Sequence, residues 1–162
     1  MAHVVIEDQY QTVISRTWQT WGRTVVLGAV VGLTFWLLTT LIGQYIVEPI
    51  ACKQVINAAA CTNALPLAGN IATVLVAALA VVGMVRLSIA RPIIVAVGAG
   101  ALLWDLGGWT LDLFWVEAIA WSVLLYALVF ALFGWITRYA ALLTSLILSL
   151  LIVLIIRIAL AL

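Results

Sequence analysis

Four charged residues in otherwise apolar segments are the side chains best suited to chemistry: Asp105, Asp112, Glu117 and Arg157. An ionisable group inside a membrane span is costly, so each is a candidate functional residue. Glu117 follows Asp112 by five residues, which places it about 7–8 Å deeper along a helix and about 140° around it. These two carboxylates therefore do not share a helix face, which weakens a paired-carboxylate mechanism. Asp105 can approach either carboxylate across the Gly107–Gly108 turn.

Arg157 is expected at a depth that overlaps the depth of Asp112 and Glu117. It follows Arg138 by nineteen residues, and a helix of that length extends about 28 Å. One interpretation is a structural ion pair that joins span five to span four, with the guanidinium partly snorkelling. The other is a proton- or cation-responsive site, in which Glu117 changes protonation as a substrate binds and leaves.

The composition explains why these charges are conspicuous. Hydrophobic residues make up 67% of the 162-residue chain and charged residues 8%, and the mean hydropathy is +1.31. Soluble domains carry about 25% charged residues. The composition therefore excludes a soluble globular domain, a disordered chain and a nucleic-acid binder, and it predicts a lipid environment.

The elements that must position the charges are helices, because a bilayer-spanning helix needs about 20 apolar residues. The apolar runs predict five spans at about 24–47, 67–87, 92–108, 110–135 and 139–161. The predicted fold is all-α: a polytopic integral membrane protein with a five-helix transmembrane bundle over residues 24–162. In residues 1–23, apolar side chains recur at helical spacing between polar ones. This pattern predicts an N-terminal amphipathic helix on the cytoplasmic face.

Charge placement predicts the orientation, since arginines and lysines concentrate in cytoplasmic loops. One side receives five arginines: Arg16, Arg23, Arg86, Arg91 and Arg138. The other side receives Lys53 and Arg157 with most of the acids: Glu48, Asp105, Asp112 and Glu117. We therefore expect a plasma or inner membrane location with the N-terminus cytoplasmic and the C-terminus outside.

The longest connection, residues 47–66, contains both cysteines, Cys52 and Cys61. On the outer side an oxidising compartment favours a disulfide, and closing so short a loop stabilises the fold by about 2–3 kcal/mol. A catalytic thiol pair is disfavoured because there is no C-x-x-C spacing and no nearby histidine, and Lys53 is the sole basic neighbour. We predict a structural disulfide.

Small and hydroxyl residues mark predicted helix-packing positions. Inside lipid, helices associate through close packing of such residues. Span one contains Gly28 and Gly32 in a G-x-x-x-G pattern, and span three repeats the spacing with Ala96 and Gly100. Span five contributes Ser145 and Ser149. These faces either hold the five helices together or bind another subunit.

The residue inventory limits catalysis. The single histidine, His3, excludes bis-histidine haem and a histidine zinc centre within one chain, and two cysteines are too few for an iron–sulfur cluster. We therefore predict no cofactor, no metal site and no enzyme activity. The first functional hypothesis is a non-enzymatic subunit or accessory component of a membrane assembly or homo-oligomer, whose partners are the lipid bilayer and other membrane subunits. The alternative is a small proton- or cation-linked transporter or channel that uses the outer carboxylates and Arg157.

Overall fold

The computed structural model describes residues 2–52, 64–89, 91–110, 113–139 and 142–161, among which there is no β-strand. Side chains are described for residues 21–50, 52, 66–89, 91–110, 113–137 and 142–159. The elements in chain order are α1 (Ala2–Ile42), a π-helical turn (Gly43–Val47), α2 (Glu48–Ala51), α3 (Ala64–Arg86), α4 (Pro92–Leu102), α5 (Leu106–Trp109), α6 (Trp115–Tyr139) and α7 (Leu142–Ala161). The predicted all-α class is confirmed.

Four helical segments are long and apolar enough to cross a membrane: Trp21–Ile50, Pro66–Arg86, Trp115–Thr137 and Leu142–Ala159. The predicted third span, 92–108, is not a single long helix. Its apolar helix α4 has 11 residues, about 16 Å of rise against a hydrocarbon core of about 30 Å. The chain then turns at Asp105, whose φ of 69° is left-handed, before the short helix α5.

Contacts between glycines and their neighbours define the register of three long helices. An added Cβ at Gly28 would meet Phe130, and one at Gly32 would meet Ser122, so α1 and α6 run antiparallel. Gly83 near the end of α3 lies against Leu27 of α1. These glycines therefore mark close packing of α1 with both α6 and α3.

The helices α4 and α7 run parallel to each other. Arg91 at the start of α4 hydrogen-bonds Ser145 near the start of α7, and Ala101 near the end of α4 hydrogen-bonds Arg157 near the end of α7. We name the two ends of the bundle after residues of this segment. The Arg91 end also carries Arg86, and the Asp105 end also carries Arg157.

The interior is filled by large apolar side chains from several helices. Phe35, Phe130, Phe133, Met84 and Val76 are each under 2% exposed. Phe35 also stacks obliquely on buried Tyr126, with ring centroids 5.3 Å apart. The centre of the described bundle is thus a packed, largely apolar core.

The predicted N-terminal surface helix falls within α1, which is continuous from Ala2 to Ile42. The helix has no break at Arg23, where the sequence predicts the start of the first span. The side chains of residues 2–20 lie outside the described set, so the amphipathic character of this segment stays a prediction.

Candidate functional site

The most polar contact set in the described bundle forms around Arg157 at the Asp105 end. Its guanidinium donates hydrogen bonds to the Ala101 carbonyl at 3.2 and 3.1 Å and to the Trp104 carbonyl at 3.1 Å. One guanidinium nitrogen also lies 3.5 Å from the Asp105 carboxylate. The last carbonyls of a helix lack backbone partners and carry partial negative charge, which suits a cation. Arg157 thus caps α4 from another helix.

The backbone of Asp105 explains why a carbonyl is free for Arg157. The helix α4 ends at Leu102, and the Asp105 N–H does not return to the Ala101 carbonyl. It donates instead to the Asn70 side chain on α3, at 3.3 Å. Asn70 was missed by the sequence reasoning, although an amide within an apolar run is the kind of residue that marks a polar contact between helices.

The two other candidate carboxylates are not brought to Arg157 by the described contacts. Glu117 lies in the first turn of α6 and is exposed, and no described side chain forms an ion pair with it. Asp112 lies outside the described residues. Among the described residues, Arg157 instead pairs with Asp105 in the turn after α4, where the Ala101 and Trp104 carbonyls supply two further acceptors. An ion pair between Arg157 and Asp112 of span four stays a prediction.

At the Arg91 end, a second cation holds the same two helices together. The Arg91 guanidinium donates to Ser145 Oγ at 3.1 Å. Ser145 is fully buried and donates in turn to the Leu142 carbonyl at 3.2 Å. Ser149 instead donates to the carbonyl of Ser145 within its own helix, at 2.7 Å. Of the two predicted serines, Ser145 joins helices through its side chain.

The two predicted glycines of span one lie where α1 meets α6. A Cβ at Gly28 would come within 2.8 Å of Phe130, and one at Gly32 within 2.5 Å of the Ser122 carbonyl oxygen. Both distances are too short for a side chain, so only glycine permits this backbone approach.

The predicted small residues of span three are less tightly placed. Ala96 is 2% exposed, while a Cβ at Gly100 would meet its nearest neighbours at an ordinary 3.8 Å. The tightest position of α4 is Gly98, where a Cβ would lie 3.0 Å from the Phe133 ring. The aromatic partner on α6 could not be read from the spacing of small residues.

The cysteine prediction is only partly within the described residues. Cys52 follows α2, and its N–H donates to the Glu48 carbonyl at 2.9 Å. Cys61 lies outside the described residues, so the disulfide stays a prediction. Among the residues that the structure describes, no three His, Cys, Asp or Glu side chains come together as potential metal ligands.

A cavity of about 400 Å³ lies between α1 and α6 toward the Asp105 end. Five polar residues are among those that line it: Thr39, Thr40, Gln44, Thr110 and Ser122. None of these residues was singled out from the sequence, because hydroxyl residues in spans usually bond back to their own helix.

Comparison with known proteins adds no assignment. The chain matches no protein-family model, and no curated protein or solved structure is significantly similar to it.

Proposed function

We propose that this protein is a non-enzymatic integral membrane protein that acts by packing with other membrane helices, as a subunit or accessory component of an assembly or as a homo-oligomer. The supporting observation is the surface of α7. Only 11% of its most apolar 18-residue window is buried, against 33–39% for the other three spans. A helix fixed at both ends yet barely covered along its length is suited to present a face to a neighbour.

The charges of the described bundle also favour a packing role. The buried polar residues of the described bundle are hydroxyl-bearing: Thr24, Thr39, Thr73, Ser122, Thr137, Ser145 and Ser149. No charged side chain is buried among the described residues. Arg91 and Arg157 both bind α7 to α4, so these two cations hold helices of the chain together.

Cysteine cross-linking tests this role. We expect Leu150→Cys on α7, 66% exposed in the isolated chain, to form a disulfide-linked species under mild oxidation in native membranes. The matched control is Val74→Cys on α3, which is 56% exposed and also lies near mid-span. The unsubstituted chain controls for the native cysteines. Cross-links to itself support the homo-oligomer, and cross-links to a second protein support the subunit role. An uncross-linked monomer from Leu150→Cys, and also from Leu143→Cys, would contradict both.

We further propose five passes, with the N-terminus cytoplasmic and the C-terminus outside. The third pass would be completed by α4, the turn at Asp105 and α5 together. In support, an added Cβ at Gly69, near the start of α3, would lie 2.8 Å from Gly107. The chain has therefore returned by Gly107 to the level at which α3 began. Reporter fusions at the two ends should then lie on opposite sides of the membrane, and fusions on the same side would contradict five passes.

The alternative is a small proton- or cation-linked transporter or channel that uses Asp105, Asp112, Glu117 and Arg157. The observation in its favour is that Glu117 is exposed at the Asp105 end without a described partner. Purified protein in sealed vesicles should then pass protons or cations, and Glu117→Gln should abolish the flux while thermal stability is kept. Absence of flux for protons and common cations would remove this alternative.

A further inference from the structure

Two arginines lie side by side where α1 and α3 meet at the Arg91 end. Gly83 of α3 packs against Leu27 of α1, where an added Cβ would come within 3.0 Å of the leucine side chain. Arg23 precedes Leu27 by four residues, and Arg86 follows Gly83 by three. Residues three or four apart share a helix face, so each arginine lies on the side of its helix that faces the other helix.

The direction of the two helices brings these arginines to the same level. The helix α3 contacts Leu27 through Gly83, and it also contacts the π-helical turn Gly43–Val47. That turn begins 16 residues after Leu27, about 24 Å along α1. Only three residues of α3 follow Gly83, so the second contact must come from the start of α3. The two helices therefore run antiparallel, and Arg23 and Arg86 both lie about 5 Å beyond the contact in the same direction.

The charges of this pair are not neutralised within the described part of the chain. Both side chains are exposed, and no described carboxylate forms an ion pair with Arg23 or Arg86. Packed helices lie about 8–10 Å apart, so both guanidiniums can reach one anion placed between them. Two adjacent cations repel each other, and an anion that binds both offsets this repulsion. The site therefore selects a ligand with a net negative charge.

The neighbouring aromatic residues place the two arginines at the level of lipid headgroups. Trp21 and Trp135 are exposed, and Gly134 packs against Thr24, so Trp135 lies near the level of Arg23. Exposed tryptophans favour the boundary between the hydrocarbon core and the headgroups. The phosphates of membrane lipids lie at this same boundary, which makes a lipid phosphate the nearest source of negative charge.

An exposed valine follows each arginine toward the hydrocarbon core. Val26 lies three residues after Arg23, and Val82 lies four residues before Arg86, so each valine shares a helix face with its arginine. Both valines are exposed. A ligand can therefore place its charge between the arginines and its apolar part along the valines.

We propose that Arg23 and Arg86 together bind the phosphate of one anionic glycerolipid, whose acyl chains lie along Val26 and Val82. A guanidinium donates two parallel hydrogen bonds to a phosphate. Phosphatidylglycerol offers this phosphate with one net negative charge. Phosphatidylcholine has the same phosphate, but its quaternary ammonium cancels the charge and is repelled by the arginines. Inorganic phosphate has the charge without the acyl chains, so the site favours the lipid.

Native mass spectrometry of the full chain in alkyl maltoside micelles tests this site. Dioleoylphosphatidylglycerol, dioleoylphosphatidylcholine and inorganic phosphate are titrated separately. We expect one tightly bound phosphatidylglycerol per chain, at a concentration at which phosphatidylcholine is mostly unbound. Inorganic phosphate at the same concentration should neither bind nor displace the lipid.

Variants assign the bound lipid to the two arginines. Arg23→Gln and Arg86→Gln should each weaken phosphatidylglycerol binding about fivefold. The matched control is Arg91→Gln, which removes the same charge from the same end, but from a guanidinium that already donates to Ser145; it should weaken binding less than either. Without added lipid, Arg23→Gln and Arg86→Gln should unfold at no lower temperature than the parent chain, because neither guanidinium has an ion pair among the described residues. The rise in Tm on adding phosphatidylglycerol should shrink in both.

Four results would overturn the proposal. Absence of a bound phosphatidylglycerol, or equal binding of phosphatidylcholine, would show that the pair does not recognise an anionic lipid. Binding that is unchanged in both Arg23→Gln and Arg86→Gln would place the lipid elsewhere on the protein. Equal weakening by these variants and by Arg91→Gln would indicate a general attraction to the basic end of the bundle. Displacement of the lipid by an equal concentration of inorganic phosphate would assign the site to free phosphate.

Discussion

Replacing Arg157 with methionine tests how the end of α4 is held. Arg157→Met keeps an apolar stem of similar length and removes two kinds of contact: the hydrogen bonds to the Ala101 and Trp104 carbonyls, and the ion pair with Asp105. Hydrogen bonds between membrane helices contribute about 0.6 kcal/mol each, and exposed ion pairs about 0.2–1 kcal/mol. We therefore expect a loss of about 1.5–2 kcal/mol, or a Tm lower by about 3–8 °C for a chain of this size.

Asp105→Asn separates the ion pair from the carbonyl contacts. Asparagine tolerates the left-handed conformation that Asp105 adopts, so the turn is kept and only the charge is lost. Because the Asp105 side chain is 58% exposed, the ion pair is screened by water and salt. We expect a loss of about 0.5 kcal/mol that shrinks at high salt. Arg157→Lys should fall between the two variants, since an ammonium cannot reach two carbonyls with a planar fork.

The assay is thermal unfolding in alkyl maltoside micelles, followed by tryptophan fluorescence at low salt and at 1 M salt. The expected order of destabilisation is Arg157→Met, then Arg157→Lys, then Asp105→Asn. Equal losses for Arg157→Met and Asp105→Asn would show that the ion pair alone stabilises the contact. An unchanged Tm for Arg157→Met would refute capping of α4 by Arg157 altogether.

Three further substitutions have equally direct outcomes. Gly32→Ala places a Cβ 2.5 Å from a carbonyl oxygen of α6 and should lower the free energy of unfolding by about 1–3 kcal/mol. The control is Gly22→Ala, whose Cβ meets nothing within 4 Å and should cause no loss of stability. Equal effects of the two variants on thermal unfolding would contradict the crossing geometry of α1 and α6. Ser145→Ala removes a hydrogen bond between helices and should lower the free energy of unfolding by about 0.6 kcal/mol. Ser149→Ala should lower it less, because the Ser149 hydroxyl bonds its own helix. The reverse order would count against the contact between Arg91 and Ser145. Cys52→Ser should cost about 2–3 kcal/mol, and maleimide labelling of the unreduced parent protein in native membranes would disprove the disulfide.

The membrane helices could be predicted because hydropathy depends only on local composition. The run Thr24–Val47 contains no charge, and it lies within the observed span Trp21–Ile50. The early end of α4 could not be predicted in the same way. Asp105 adopts a backbone conformation favoured by glycine, and the sequence instead points to the turn at Gly107–Gly108.

The partners of Arg157 show where sequence reasoning ends. Counting the helical rise places Arg157 at the depth of the acidic residues, but several carboxylates share that depth, so the count does not select one of them. Backbone carbonyls cannot be recognised as acceptors from the sequence, because this requires knowing where the helix ends. The cavity between α1 and α6 could not be predicted from the sequence for a related reason. Thr39 and Ser122 look like ordinary span hydroxyls, and the sequence does not show that both are buried without a hydrogen-bond partner.

The contact between Arg157 and α4 also has a consequence for biosynthesis. The polar end of this short helix is completed by a residue 56 positions later in the chain, after two more long helices have left the ribosome. Until then, α4 is too short to span the hydrocarbon core and its last carbonyls lack this partner. We therefore expect α4 and the turn at Asp105 to leave the translocon before they have reached their final depth in the membrane. They should reach that depth only when α7 packs against α4, so that the last helix completes the insertion of an earlier one.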